Sequence, residues 1–179
     1  MKEYISSLCL VLLLLFPDLS LAKAFMSKSE ALKLAFPEAD RVETVNLFLS
    51  PAEMDQVKKL SGILPDSPIF TFYVGKKAEQ TTGYAAIEAG VVRTLPETVM
   101  VVLNADGTVR FTEILAFFEP PEYMPATRWL DQFRGIRLSR NLRVGGDIQA
   151  ISGATLSAEA ITRQVRKIAA VAEFLETGD

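Results

Sequence analysis

The sequence predicts an α+β fold, in which a mainly antiparallel, twisted sheet is packed by helices. Segments rich in β-branched and aromatic residues fill the middle third of the chain, and this composition is typical of strands. Segments with helical periodicity lie on both sides of them. Sequential strands between flanking helices favour antiparallel neighbours with helices against the sheet. The predicted central strands cover residues 69–74, 82–92, 98–103 and 108–118.

Two helix starts precede these strands, and in each a serine is followed three residues later by a glutamate. Ser27 and Glu30 predict a capping box at the start of a helix that ends at Ala35, and Ser50 and Glu53 predict a second one. In a capping box the serine and glutamate side chains bind each other's backbone N–H groups. We therefore expect both helices to begin at these serines.

Alternation and turn residues complete the local prediction. Residues 41–49 alternate as a strand does, and residues 104–107, Asn-Ala-Asp-Gly, indicate a hairpin turn between the last two strands. The second helix is expected to bury Met54, Val57 and Leu60.

Residues 1–24 have the pattern of a secretory signal peptide. Lys2 precedes an apolar core at residues 8–16, and Ala22-Lys23-Ala24 provides a small-x-small cleavage site. The apolar run is shorter than the roughly 20 residues that span a bilayer, so an uncleaved anchor is the lesser alternative. We expect an exported protein, periplasmic or at the extracytoplasmic face of a membrane, with residues 25–179 as a single domain.

Composition excludes several classes of function. The chain has no histidine, and its one cysteine, Cys9, lies in the apolar N-terminal run. These facts exclude Ser-His-Asp catalysis, an intramolecular disulfide and a thiolate metal cluster, and we expect no metal site. A net charge of −3 argues against nucleic-acid binding. Any redox chemistry must come from a bound cofactor.

The most strongly periodic helix is predicted at residues 157–176, where one apolar stripe is expected to hold it against the sheet. Small and hydroxyl residues stand directly before it. They leave room for a ligand beside the free N–H groups of a helix N-terminus, which is where a phosphate binds well. The alternative is that Ser and Thr only cap the helix. The stripe consists of Ile161, Val165, Ile168, Ala172 and Leu175, and the residues before and at the helix start are Asp147, Ser152, Gly153, Ala154, Thr155 and Ser157.

The order Asp147-x-x-x-x-Ser152-Gly153-Ala154-Thr155-Leu156-Ser157 resembles the flavinylation motif of the FMN-binding domain family. The best-known members of that family are components of the sodium-translocating NADH:quinone oxidoreductase and of the Rnf electron-transport complex. The resemblance implies FMN joined through its phosphate, as a phosphoester, to Thr155 by a flavin transferase. Ser157 is the second candidate for attachment.

The same resemblance implies that the remaining motif residues, Asp147, Ser152, Gly153 and Ala154, bind the cofactor. In the usual motif the Asp stands nearer to the Ser than Asp147 does here.

A proline-rich segment at residues 117–125 is predicted to be a stiff loop. In the family the equivalent loop lies near the flavin and carries Glu-Thr-Pro-Gly, whereas this chain has Glu-Pro-Pro-Glu at residues 119–122, so we assign it no binding residue. Tyr123 and Met124 either form a wall of the ligand pocket or pack on the core.

A short helix is expected at residues 127–133, with Trp129, Leu130 and Phe133 facing inward and Trp129 in the core rather than stacked on a flavin. Five arginines surround and follow it. They form either a solvated face or a cationic site for the flavin or for an acidic partner. They are Arg128, Arg134, Arg137, Arg140 and Arg143.

We expect an electron-transfer flavoprotein that relays electrons within a respiratory or redox complex. Its implied partners are the flavin transferase, redox proteins and membrane-embedded components of such a complex. No residue set indicates a dedicated catalytic site, so a carrier or a component of a complex is favoured over a stand-alone enzyme. The alternatives are a secreted ligand-binding module that keeps the fold without flavin, and an extracytoplasmic flavin-dependent reductase.

Overall fold

The computed structural model describes residues 23–175, so the predicted signal peptide lies outside the described residues except for its last two. Six strands form one sheet, in which every pairing is antiparallel. The order across the sheet is β1-β6-β5-β4-β3-β2, so five strands are a meander and the first lies at the far edge. The strands are β1 (Lys23–Ala24), β2 (Arg41–Phe48), β3 (Ile69–Lys77), β4 (Gln80–Val91), β5 (Pro96–Asn104) and β6 (Val109–Phe117).

Helices lie on both faces of this sheet, and the predicted α+β class is confirmed. Two single 3₁₀ turns, Pro121–Tyr123 and Asp131–Phe133, flank the third helix. Within residues 23–175, no helix combines the length and apolar content needed to cross a membrane. The helices are α1 (Lys28–Ala35), α2 (Pro51–Ser61), α3 (Thr127–Leu130) and α4 (Thr155–Ala172).

Both predicted capping boxes are confirmed. The Ser27 side chain accepts the Glu30 N–H at 3.3 Å, and the Glu30 carboxylate accepts the Ser27 N–H at 2.9 Å. At α2 the corresponding distances between Ser50 and Glu53 are 3.3 and 2.6 Å. Gly62, in the left-handed conformation at φ +75°, ends α2.

The central strand β5 is buried on both faces, which explains its uninterrupted run of apolar residues. Val99, Val101 and Leu103 face the layer that contains α2, α3 and α4. Met100 and Val102 face the smaller layer under α1. The hairpin between β5 and β6 is also confirmed, because the Asn104 N–H donates to the Thr108 carbonyl at 2.8 Å.

The predicted stripe packs α4 onto the sheet, with Ile161, Val165 and Ile168 buried. An ion pair between Lys167 and Glu88 also joins the helix to β4. The predicted start at residue 157 is wrong by two positions, because Thr155 already has helical geometry.

The burial predicted for α2 is wrong at one position. Leu60 is 43% exposed, whereas Val57 and Ser61 are fully buried. The Ser61 hydroxyl can face inward because it donates to the Val57 carbonyl at 2.7 Å, which satisfies it without water.

Candidate functional site

A cleft of about 210 Å³ opens at the end of the sheet where β4 stops and β5 begins. Three segments that are distant in sequence form its walls: the loop after β4, the loop after β6 and the N-terminal turn of α4. The lining residues are Val92, Arg93, Glu119, Tyr123, Gly153, Ala154, Thr155, Leu156 and Ser157.

The segment before α4 is fixed by hydrogen bonds to its backbone. The Trp129 Nε1–H donates to the Gln149 carbonyl at 2.7 Å, and the Gln149 N–H donates to Gln132 Oε1 at 2.8 Å. Trp129 is buried and meets Phe133 edge to face, with ring centroids 5.5 Å apart. The core therefore sets the position from which residues 150–155 enter the cleft.

The N-terminus of α4 has no side-chain cap. Its N-cap residue is Ala154, and the Ala158 N–H makes the first bond of the helix, to the Ala154 carbonyl at 3.1 Å. The exposed Thr155 does not cap either, since its Oγ1 donates to the Ile151 carbonyl at 3.2 Å. The N–H groups of residues 155–157 precede that first bond and lie at the positive end of an 18-residue helix. The alternative that Ser and Thr only cap this helix is therefore wrong.

Two motif residues leave room and a hydrogen-bonding group for a ligand: the space beside Gly153 is open, and the Ser157 hydroxyl is unpartnered in the described part of the chain. At Gly153, φ is +82°, and an added Cβ would meet no heavy atom within 4 Å. The glycine is therefore required by the left-handed backbone, and the space beside it is open. Ser157 lines the cleft with only 1% of its surface exposed, and its Oγ has no hydrogen-bond partner among the described residues. A buried hydroxyl of this kind needs a ligand or water to bind.

Glu119 fixes the wall opposite the helix. Its Oε1 accepts the backbone N–H groups of Thr94 at 2.7 Å, Leu95 at 2.9 Å and Arg93 at 3.2 Å. These hydrogen bonds lower the pKa of the buried Glu119 carboxyl below its ordinary value, the N–H groups of Thr94 and Leu95 having the largest effect. The carboxylate therefore holds the loop after β4 and leaves Arg93 exposed at the cleft.

The structure brings four of the six predicted cofactor-binding residues together at the cleft: Gly153, Ala154, Thr155 and Ser157. Ser152 is exposed just before them and is not among the lining residues. Asp147 also lies outside the lining, because its carboxylate accepts hydrogen bonds from the side chains of Asn141 and Ser139. It therefore stabilises the preceding turn.

The five arginines of the predicted cationic segment do not line the cleft; all are exposed. Arg134 pairs with Asp131 at 3.5 Å, and Arg137 lies 3.9 Å from Asp106, at the hairpin between β5 and β6. The cation at the cleft is Arg93, which sequence reasoning missed. A charged residue within the short break between two strands was the available signal.

The predicted core role of Trp129, Leu130 and Phe133 is confirmed, since all three are buried. Tyr123 combines the two roles left open for it, because it packs against the core and also lines the cleft. Among residues 23–175, no group of three or more His, Cys, Asp or Glu residues could hold a metal ion.

Comparison with known proteins agrees with this geometry. Residues 95–170 match the family model of the FMN-binding domain, a segment that begins at β5 and ends within α4. No curated protein matches the chain. The match includes Glu119 and all of residues 152–157, although Val92 and Arg93 of the cleft precede it. Residues 95–170 therefore match the FMN-binding domain family, and this match supports a flavin-binding protein with FMN as its cofactor.

Proposed function

We propose that the protein is an exported electron-transfer flavoprotein that carries FMN as a phosphoester on Thr155. The observation that carries this proposal is the state of the α4 N-terminus. An exposed threonine hydroxyl stands there beside free N–H groups and the unpartnered Ser157 hydroxyl, in the wall of a cleft of the described chain. An anion fits such a terminus because backbone donors and the helix dipole act together.

The residues around the cleft fit both ends of the cofactor. The N–H groups of residues 155–157 and the Ser157 hydroxyl would hold phosphate oxygens, and the Arg93 guanidinium would balance their charge. Leu156, 50% exposed, and the half-buried Tyr123 and Val92 offer apolar surface for a flat ring. When bound, the flavin supplies one- or two-electron transfer, and the protein supplies position and electrostatics.

Attachment requires that Thr155 be reachable by the flavin transferase, and its exposure meets that requirement. The Oγ1–P bond forms as the transferase breaks the pyrophosphate bond of a flavin dinucleotide, so that a nucleoside monophosphate leaves and the hydroxyl proton is lost. The open space at Gly153 lets the nucleotide approach the backbone closely. A covalent bond keeps the cofactor at high effective concentration outside the cytoplasm, where a released flavin is diluted.

The cleft contains no pair of carboxyl or guanidinium groups arranged for acid–base work on a substrate, among the residues that the structure describes. Glu119 is occupied by three backbone N–H groups, and Arg93 fits an anion-binding role. We therefore propose an electron carrier or a component of a redox complex, with redox proteins, including membrane-embedded ones, as partners.

The test is co-expression of the full chain with a flavin transferase, followed by acid precipitation and mass spectrometry. We expect a yellow pellet and one FMN-sized mass increment on the peptide that contains Thr155. Thr155→Ala should remove the increment, and Ser157→Ala should retain it as the matched control. A colourless wild-type pellet, or an increment that remains in Thr155→Ala, contradicts the attachment.

Export and electron relay need separate measurements. Cell fractionation should place the mature protein outside the cytoplasm, with residues 1–24 removed. Stopped-flow absorbance should show the bound flavin reduced by one redox protein and reoxidised by another. Full retention in the cytoplasm contradicts export, and a flavin that no protein partner reduces contradicts the relay.

A further inference from the structure

A fully buried carboxyl group lies at the second residue of β5. Glu97 is 0% exposed, and its Oε1 accepts a long hydrogen bond from Gln164 Nε2 at 3.5 Å. Its Oε2 has no hydrogen-bond partner among the described residues. An ionised carboxylate in this setting would be costly, since its one hydrogen bond is long and its second oxygen is left unsatisfied.

Its neighbour Gln164, on α4, is in the same condition. Gln164 is 5% exposed, and its Oε1 also has no partner within residues 23–175. Gly90 stands opposite Glu97 in the register of β4 and β5, and a Cβ added there would lie 2.0 Å from Gln164 Nε2. The amide therefore fills the space that glycine leaves, and the two side chains are held against each other between α4 and the sheet.

This pair lies about two helical turns along α4 from the cleft. Glu97 follows Leu95 by two residues, and the Leu95 N–H is bound by Glu119 of the cleft wall. On α4, Gln164 stands seven residues, about two helical turns, after Ser157, so both lie on the same face of the helix. The pair consequently supports the middle of α4, the helix that presents Thr155 at its N-terminus.

Burial alone raises the pKa of Glu97 to about 8. Most charged groups on the surrounding elements are engaged or exposed, and the half-buried Arg166 of α4 has its guanidinium beside Gly62, at the end of α2. Lys167 on α4 pairs with Glu88 on β4, Glu119 binds the loop after β4, and Arg163 and Arg93 are exposed. A protonated Glu97 can do what the carboxylate cannot, because its O–H can donate to Gln164 Oε1 and so provide a partner for both unpaired oxygens.

We propose that Glu97 and Gln164 form a neutral acid–amide pair that positions α4 for FMN, and that loss of the Glu97 proton weakens FMN binding. The inference rests on the proposed function of the cleft. Ionisation would break the two-way pair and place a buried negative charge roughly 10 Å, or two helical turns, from the phosphate site. At an effective dielectric constant of about 20, a charge about 10 Å away changes the affinity for a second charge on the order of tenfold. By linkage, bound FMN should favour the protonated form of Glu97.

The first measurement is an NMR titration of the full-length apoprotein with ¹³C-labelled glutamate carboxyls. We expect the Glu97 signal, assigned by its loss in Glu97→Gln, to titrate above neutrality. A midpoint near that of an exposed glutamate would overturn the inference.

The second measurement uses free FMN and the Thr155→Ala variant, so that binding is reversible and can be followed by flavin fluorescence between pH 6.5 and 9.5. We expect affinity to fall about tenfold as Glu97 ionises. The double variant with Glu97→Gln should show no such fall, so that only the flavin phosphate, which titrates near pH 6, affects its profile. Glu113→Gln is the matched control, because burial raises the pKa of this β6 carboxyl too, but it lines a separate pocket that contains no residue of α4.

The outcomes separate the two proposals. Equal pH profiles with and without Glu97 would overturn the link to FMN and leave the proposed function intact. Absence of FMN binding at every pH, in a variant that folds and whose Glu97 titrates as expected, would contradict the function of the cleft and with it the link. A fall in affinity that persists in Glu97→Gln but disappears in Glu113→Gln would assign the effect to the wrong residue and overturn the inference.

Discussion

The helix N-termini of α1 and α2 differ from that of α4. At α1 and α2 a serine and a glutamate bind each other's backbone N–H groups, so two of the four free donors at each helix start are used. At α4 the cap residue is alanine, and no side chain accepts from the first turn. The first two termini are exposed, whereas the third opens into the cleft.

The same hydroxyl residues therefore have two different uses at helix starts: they cap α1 and α2, but they do not cap α4. A serine three residues before a glutamate satisfies two donors of its helix start without a ligand. Ser152 and Thr155 have the same spacing, but neither caps α4, so its N–H groups remain for a ligand. A helix that is stabilised by its buried stripe can tolerate an open end.

The largest expected effect is at Thr155. Because its hydroxyl does not cap α4, Thr155→Ala should cost less than about 0.5 kcal/mol of unfolding free energy while removing all covalent FMN. Chemical denaturation and intact mass measure the two quantities on the same preparations. Thr155→Ser should keep the flavin. A loss of stability near 1 kcal/mol in the alanine variant would show a cap after all.

The second prediction concerns Glu97. This buried acid accepts one long side-chain hydrogen bond, whereas the capping glutamates Glu30 and Glu53 accept backbone N–H groups. Its pKa rises from 4.5 in an ordinary environment to about 8 in the fold, so the folded state binds more protons than the unfolded chain between these values. Stability contributed by the protonated form is complete below about pH 4.5 and is lost as pH rises through about 8. Thermal unfolding should show Glu97→Gln gaining stability relative to wild type from pH 5 to pH 9. If the difference in stability between Glu97→Gln and wild type stays constant from pH 5 to pH 9, the prediction is wrong.

The next prediction concerns Glu119, which accepts backbone N–H groups as the capping glutamates do, but in a loop instead of at a helix start. Glu119→Ala leaves three N–H groups of the loop after β4 without an acceptor, and we expect unfolding free energy to fall by about 2 kcal/mol. Because its pKa is lowered in the fold, the contribution is present at neutral pH and lost as pH falls toward acid values. Urea denaturation at pH 7 and pH 4 measures both. The exposed Glu122→Ala is the control and should be close to neutral.

The smallest expected effect is the difference in unfolding free energy between alanine variants of the capping serines and of Ser152. Ser50→Ala should cost about 1 kcal/mol by removing an N-cap, as should Ser27→Ala. Ser152→Ala should cost little, because the exposed Ser152 is not the cap residue of α4. Urea midpoints of the three single variants decide this. Equal losses at Ser50 and Ser152 would remove the distinction between the two kinds of terminus.

Local sequence signals were sufficient for the elements that local interactions determine. The Ser-x-x-Glu pairs located α1 and α2, and the alternating and apolar runs located the strands within about three residues. The start of α4 was misplaced because residue types favoured a hydroxyl cap, whereas the backbone at Ala154 makes the transition into the helix. Strand β1 was missed because two residues carry no periodicity.

The cleft was only partly predictable because its walls meet through tertiary structure. The motif indicated Thr155 and Ser157, but nothing in the sequence joined Glu119 to the loop that contains Arg93. The Gln164 amide over Gly90 likewise depends on how α4 lies across β4. Asp147 was assigned through the resemblance alone, and its side chain contacts Asn141 and Ser139 instead of the cleft.

The order of the strands has a consequence for biogenesis. In the meander of β2 to β6, each strand pairs with its sequence neighbour, so the sheet can assemble from nearby segments as the chain folds. Helix α4 instead packs onto β4 through the contact between Lys167 and Glu88, which are 79 residues apart in sequence. This long-range packing brings Thr155 into the wall of the cleft. A transferase that reads the closed surface would modify only molecules that have finished folding, so the yellow fraction of a preparation would report its native fraction.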